Sequence, residues 1–169
     1  MTEENKLKEE LESKFGFLKE HITVKRERRV FADVPAEHFT EVFDHLVHHL
    51  KFNELPAVIG LDEGDTFGII YDLCKEGRLV LNLKTHVSRE NPVINTVTKI
   101  FPSADAYERE LIDLFGIQVQ GLPPGPRYPL PDNWPKGEYP LRKDWKGEML
   151  KEETNSCQLK KDPEKKANK

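Results

Sequence analysis

The sequence predicts an α+β fold: a mixed or mainly antiparallel sheet backed by helices, followed by a long Pro-rich extended C-terminal arm. Three observations carry this. Three runs dense in branched and aromatic residues, LPAVIGLDEGD, TFGIIYDLCKEG and RLVLNLKTHVSRE, follow one another with Gly-Asp and Glu-Gly turn signals between them. Such short connections suit antiparallel neighbours rather than βαβ crossovers. Stretches with helical spacing flank the runs on both sides. Finally, residues 117–149 hold seven of the chain's twelve prolines, a density that excludes regular helix because each proline removes a donor and obstructs the preceding turn.

Taken in order, Thr2–Lys14 reads as a surface helix with Leu7, Leu11 and Phe15 at spacing four and Gly16 as its stop. Arg28–Val34 reads as a strand. Pro35 then opens a helix, PAEHFTEVFDHLVHHL, that puts Phe39, Val42, Phe43, Leu46, Val47 and Leu50 on one stripe. After the three strand runs, NPVINTVTKIF reads as a short helix starting at Pro92. A further helix has Ser103 as N-cap, Asp105 near its positive end and Gly116 as terminator. The expected organisation is an α+β body over 1–116, an extended arm over 117–149 and a disordered polar tail over 150–169. The tail, KEETNSCQLKKDPEKKANK, has too few apolar groups to offset its ordering entropy.

Composition narrows the function classes. A net charge of −4 offers no broad basic field for nucleic acid. No apolar run reaches the roughly 20 residues that span a bilayer, and MTEENKLKEELESK is a charged helix rather than a signal segment, so the cytoplasm is the expected location. Cys74 and Cys157 form no CxxC pattern and are expected to be free thiols. Abundant Lys and Glu with scarce Cys and Met lean towards a thermophile.

Candidate chemistry is sparse. His38, His45, His48 and His49 share one helix, and His45 and His49 are spaced for one metal ion, but no third ligand arrives at a motif spacing. The plainer reading is a solvated polar helix face. GLDEGDTFG lacks the Lys-Ser/Thr of a phosphate loop and carries three acids, which makes it a hairpin turn. Cys74, Ser88 and Ser103 stand in no nucleophile-elbow context. No catalytic or cofactor-binding residues and no metal ligands are expected.

The densest cluster is YERELIDLFGIQVQG. Tyr107, Leu111, Leu114 and Phe115 share a face with Ala104, while Arg109 and Asp113 lie one turn apart on the other side with Glu110 beside them. Arg109 is positioned to pair with Asp113 and keep it ionised, which suits a proton donor poorly. A helix with one such ion pair is the bland reading, stabilised by about 0.2–0.5 kcal/mol. The segment that follows, proline-rich yet carrying Tyr128, Trp134, Tyr139 and Trp145, favours a docking surface instead.

Here the residues also match a family. Glu108-Arg109-Glu110-x-x-Asp113-x-Phe115-Gly116 resembles the ERExxDxFG signature of the 30 kDa subunit of the respiratory NADH–quinone oxidoreductase (complex I), which related membrane-bound hydrogenases share. The resemblance extends to Ile100–Ala104, Leu130–Trp134 and Pro140–Trp145. It departs where the family commonly reads GHPDLRR and this chain has Gly121–Arg127, a divergence that together with the composition points to the version in an archaeal-type membrane-bound nickel–iron hydrogenase or a related sulfur-reducing complex. The resemblance implies a non-catalytic peripheral-arm subunit on the cytoplasmic side of the membrane, with no cofactor of its own. It would pack against a subunit related to the large subunit of nickel–iron hydrogenases, in a complex whose other subunits carry iron–sulfur clusters and, in the hydrogenase version, a nickel–iron centre. The expected partner-binding residues are Glu108, Arg109, Glu110, Asp113, Arg127, Trp134, Arg142, Asp144 and Trp145: charges to fix partner loops, tryptophans to be buried. An equivalent subunit of a sulfane reductase or of NADH–quinone oxidoreductase is the alternative. A stand-alone metal protein using His45 and His49 is the remote one, and an adaptor working through its Lys-rich tail is a third.

Overall fold

The computed structural model describes residues 2–147; the polar tail expected at 150–169, with Cys157, lies outside the described residues. The elements are α1 (Glu3–Lys14), β1 (Ile22–Arg26), β2 (Arg29–Pro35), α2 (Phe39–His48), β3 (Glu54–Asp62), β4 (Thr66–Lys75), β5 (Leu79–Ser88), β6 (Val93–Asn95), α3 (Ala104–Phe115) and β7 (Gln118–Gln120). Five strands form one sheet in the order β1-β2-β5-β4-β3, and β6 pairs with β7 in a small parallel sheet of its own. The α+β class read from the sequence is the one observed.

The meander β3-β4-β5 runs antiparallel, as the short turns dictate. Its registers set Tyr71 opposite both Val58 and Leu83, so alternate residues share a face. Phe67, Ile69, Tyr71 and Leu73 of β4 and Leu79, Leu81, Leu83 and Val87 of β5 are buried on that face. The helices cover it: Phe39 and Phe43 of α2 pack against Tyr71 with ring centroids 4.7 and 5.7 Å away. On the opposite face the side chains are polar in the middle. His86 lies 3.0 Å from Asp33 and 2.8 Å from Glu63, Lys84 pairs with Glu63 at 2.6 Å, and the Asn82 amide donates to Asp72.

β2 inserts beside β5 in parallel, which makes the sheet mixed. Two features depart from the expectations. β1 comes from HITVKR, where only Ile22 and Val24 alternate, and it closes a hairpin on β2 through Arg28 at φ +62°. The stretch after Pro92 is not a helix: Val93–Asn95 is the strand β6, drawn into that state by pairing with β7, and a tight turn at Val97 follows. Branched Val93, Ile94 and Val97 have little to lose by leaving a helix.

α3 also starts differently. Ser103 makes no capping bond and already has helical dihedrals, since the turn from Phe101 and Pro102 runs straight into the helix. The helix stops as expected at Gly116, whose φ of +72° is the left-handed conformation that glycine adopts without strain. At the other side, Gly60 of β3 lets α3 approach: a Cβ there would lie 2.6 Å from Phe115 and 2.8 Å from Leu111.

The histidines of α2 divide. His48 and His49 are exposed, but His45 turns inward, edge-on to Phe15 at 5.4 Å and stacked on His49 at 5.0 Å, and neither of its ring nitrogens has a partner. Burial, then the charges of Lys14 and His49, hold its pKa below the ordinary value, against Glu10. The solvated face expected for these histidines therefore holds for only part of them, because Phe15 and Phe17, just after α1, pack against His45 and His38.

Candidate functional site

The site is α3 together with the segment 121–147. The amphipathic pattern of α3 aims Ala104, Leu111 and Phe115 at the core and, unexpectedly for a carboxylate, Glu108 with them. Glu108 is fully buried, accepting the Val97 amide at 2.7 Å and the Thr96 hydroxyl at 2.5 Å. Burial raises its pKa, opposed by those two donors. It thus staples the turn after β6 to the helix.

The pairing expected between Arg109 and Asp113 does not form. Arg109 grips Asp105, one turn earlier, through Nε and Nη2 at 2.8 Å each, and this grip holds the Asp105 carboxyl low. Both acids are four residues away, and a contact further on decides between them. Asp113 is taken by Arg127 at 2.9 Å and by the Leu130 amide at 3.2 Å. The remaining donors of Arg109 reach the carbonyls of Pro123 at 2.9 Å and Pro126 at 3.2 Å.

The segment 121–147 therefore lies along the outward side of α3. Arg127 continues to the Trp134 carbonyl at 2.9 Å. The Trp134 indole donates to the Glu138 carbonyl and the Trp145 indole to the Glu138 carboxylate, with the two rings 6.1 Å apart. Arg142 donates to the Phe115 carbonyl at 2.6 Å while its guanidinium lies over Tyr139 and Phe67. The Leu141 amide meets the Leu114 carbonyl at 3.1 Å. At the far end, Asp62 accepts the Lys143 amide at 2.8 Å, and Arg89 bridges Asp62 at 2.9 Å to Asp144 at 2.6 Å. Burial raises the Asp62 pKa, but Arg89 and the Lys143 and Gly64 amides outweigh it and hold the carboxyl at about 2.

Of the nine residues singled out in the sequence, seven are thus drawn into this one unit; Glu108 is buried on the core side of α3, bonded to Thr96 and Val97, and Glu110 stands half-buried. Asp62, Arg89, Asp105, Glu138 and Tyr139 belong to it as well. Asp62 lies 81 residues from the amide it holds, and nothing in the sequence links the two.

Chemically, the cluster is a set of satisfied ion pairs. An open groove of about 330 Å³ lies among Glu138, Tyr139, Arg142, Asp144, Trp145 and Lys146; in its lining Trp145 is bonded to Glu138, Arg142 to the Phe115 carbonyl and Asp144 to Arg89. Among the described residues there is no group of three or more His, Cys, Asp or Glu side chains able to hold a metal, and Cys74 is a free, buried thiol. Likewise no described helix is long and apolar enough to cross a membrane.

The fold is thus a small α+β body whose helix α3 is bound through its charged side chains to a proline-rich segment. Residues 32–150 match the family described as the respiratory-chain NADH dehydrogenase 30 kDa subunit, and the chain belongs to that family. It is 34% identical over 122 residues to a subunit of the F(420)H(2) dehydrogenase of Methanosarcina mazei, covering 70% of this chain and 77% of that one. The membrane-bound hydrogenase subunit beta of Pyrococcus furiosus is 31% identical over 132 residues, covering 73% and 75%. A subunit of the NADH-quinone oxidoreductase of Chloroherpeton thalassium is 38% identical over 100 residues, 57% of this chain but only 41% of that relative's length. In structure, the chain superposes on one from the membrane-bound sulfane sulfur reductase, an archaeal respiratory membrane complex, with TM-score 0.74 at 22% identity and 98% of both chains covered, which shows the shared fold. A trypsin-resistant fragment of Nqo5 matches with TM-score 0.59 at 28% identity, covering 70% of this chain and 99% of the fragment.

Proposed function

We propose that this chain is a non-catalytic peripheral-arm subunit of a membrane-bound, ion-translocating oxidoreductase complex of the hydrogenase-like kind. In this reading α3 and the segment 121–147 form an element that docks to, and stabilises, a catalytic subunit resembling the large subunit of nickel–iron hydrogenases. Iron–sulfur subunits complete the assembly on the cytoplasmic side of the membrane. The observation that carries it is the state of the charged cluster: Arg109 and Asp113 on α3, and Arg142 beyond it, are all spent on shaping a proline- and aromatic-rich surface. That is how a binding element is built, whereas acid–base catalysis needs a group free to exchange its proton.

The hydrogenase version is the first reading, a membrane-bound hydrogenase subunit being among the relatives; the equivalent subunit of a sulfane reductase or quinone reductase is the second, and relatives in an F(420)H(2) dehydrogenase and an NADH-quinone oxidoreductase are at least as similar. The test is to tag the chain in its host, solubilise the membranes gently and identify what co-purifies. A large subunit with four nickel–iron-ligating cysteines and iron–sulfur subunits supports the first reading. A cysteine-poor large subunit moves the assignment to the second. Recovery of the chain alone, from the soluble fraction, overturns both. Stoichiometric metal retained by that lone chain would favour the His45/His49 metal protein instead.

A further inference from the structure

We propose that the signature charges Arg109 and Asp113, with Arg127, act within the chain as a clamp that shapes the 121–147 segment before any partner arrives, so that the partner meets the segment and not the signature. This rests on the docking reading above and divides its labour.

The chemistry of the two sides is matched. Prolines carry carbonyls but no N–H, so the stretch at Pro123–Pro126 offers acceptors in excess of donors. Arg109 is donor-only, and its N–H groups divide between Asp105 and the carbonyls of Pro123 and Pro126. One turn later the polarity reverses: Asp113, acceptor-only when ionised, takes the Leu130 amide and the Arg127 guanidinium. Arg127 then reaches the Trp134 carbonyl, which carries the order into the tryptophan pair.

Accessibility points the same way. Asp113 is 7% exposed and the Arg109 side chain 12%, each under a layer of its own chain. Gly125 lets the backbone lie against the guanidinium: a Cβ there would overlap Arg109 Nη2 and push the arginine head aside. A partner loop could pair with these charges only by displacing the segment. Breaking one member of such a covered pair leaves the other charge unpaired, so the loss is larger than for a surface contact.

A charge swap separates the two possibilities, because a pair inside the chain can be exchanged without touching the partner. The experiment co-produces the full chain with its complex and measures recovery of the large subunit, beside trypsin cleavage after Lys136 of the free chain, a site that none of the variants alters. Asp113→Arg and Arg127→Asp each lower recovery and speed cleavage by on the order of tenfold. The double variant Asp113→Arg/Arg127→Asp returns both readouts most of the way, the Leu130 amide staying unpaired. Arg109→Lys keeps the charge but lacks the fork, so cleavage rises while the melting of the body is unchanged. Two results overturn the proposal: single variants that leave cleavage at the wild-type rate, or a double variant whose segment is protected while recovery stays as poor as in the singles. If wild-type chain recovers no partner, the docking reading fails, and the cleavage series still decides the clamp.

Discussion

The body and the segment 121–147 reach order by opposite means. The body buries some thirty apolar side chains in one cluster spanning α1 to Ile117. The segment contributes none: no residue from 121 to 147 is buried, and Tyr128 and Leu141 are among the most exposed large apolar groups. It is held by arginine–carbonyl and arginine–carboxylate contacts, and its prolines lower the entropy that ordering costs. Burial gives a cooperative unit that survives changes of salt, whereas contacts at the surface give an element that can be reshaped on binding.

Four measurements put this contrast at risk. The largest effect belongs to the body. Leu111→Ala empties a buried site between α3 and Gly60 and should destabilise by about 2–5 kcal/mol, seen as one lowered thermal transition that carries the segment with it. Next, Gly116→Ala imposes the left-handed conformation on a residue with a Cβ, at roughly 1–2 kcal/mol, and drives that carbon against Tyr139 and Arg142. Trypsin should then cut the segment after Lys136 while the melting point falls only modestly.

A smaller effect concerns His45. Its folded pKa is depressed, chiefly by burial, so the folded state takes up a proton less readily than the unfolded one. The stability it permits is complete above the unfolded value near 6.5 and is lost as pH falls through that value towards the folded one. His45→Gln should flatten a denaturation midpoint that otherwise declines below that pH. The smallest change is in salt. Raising the salt from about 0.05 to 1 M shortens screening to about 3 Å, and cleavage within 121–147 should rise while the body's denaturation midpoint does not fall.

The same contrast explains how much was legible beforehand. The meander, the stripe of α2 and the stop at Gly116 are local patterns of period and turn chemistry, and they could be read. β6 could not, because its state is set by β7 more than twenty residues later. Arg109 had equally spaced acids on either side, and only the position of Arg127 decides which one it takes. Likewise Glu108 looks like a surface charge until folding brings the Val97 amide over it. The partners that the signature residues take within the chain come from folding at long range.

One last feature bears on the time between synthesis and assembly. β3 forms an edge of the sheet, and a bare edge nine residues long invites a second copy to pair with it. This edge is interrupted: Pro56 has no amide to offer, and its carbonyl is taken by the Tyr107 hydroxyl at 2.7 Å. The proline-rich segment beside α3 is equally unfit to act as a strand. Along β3, strand pairing with a second copy is thereby disfavoured.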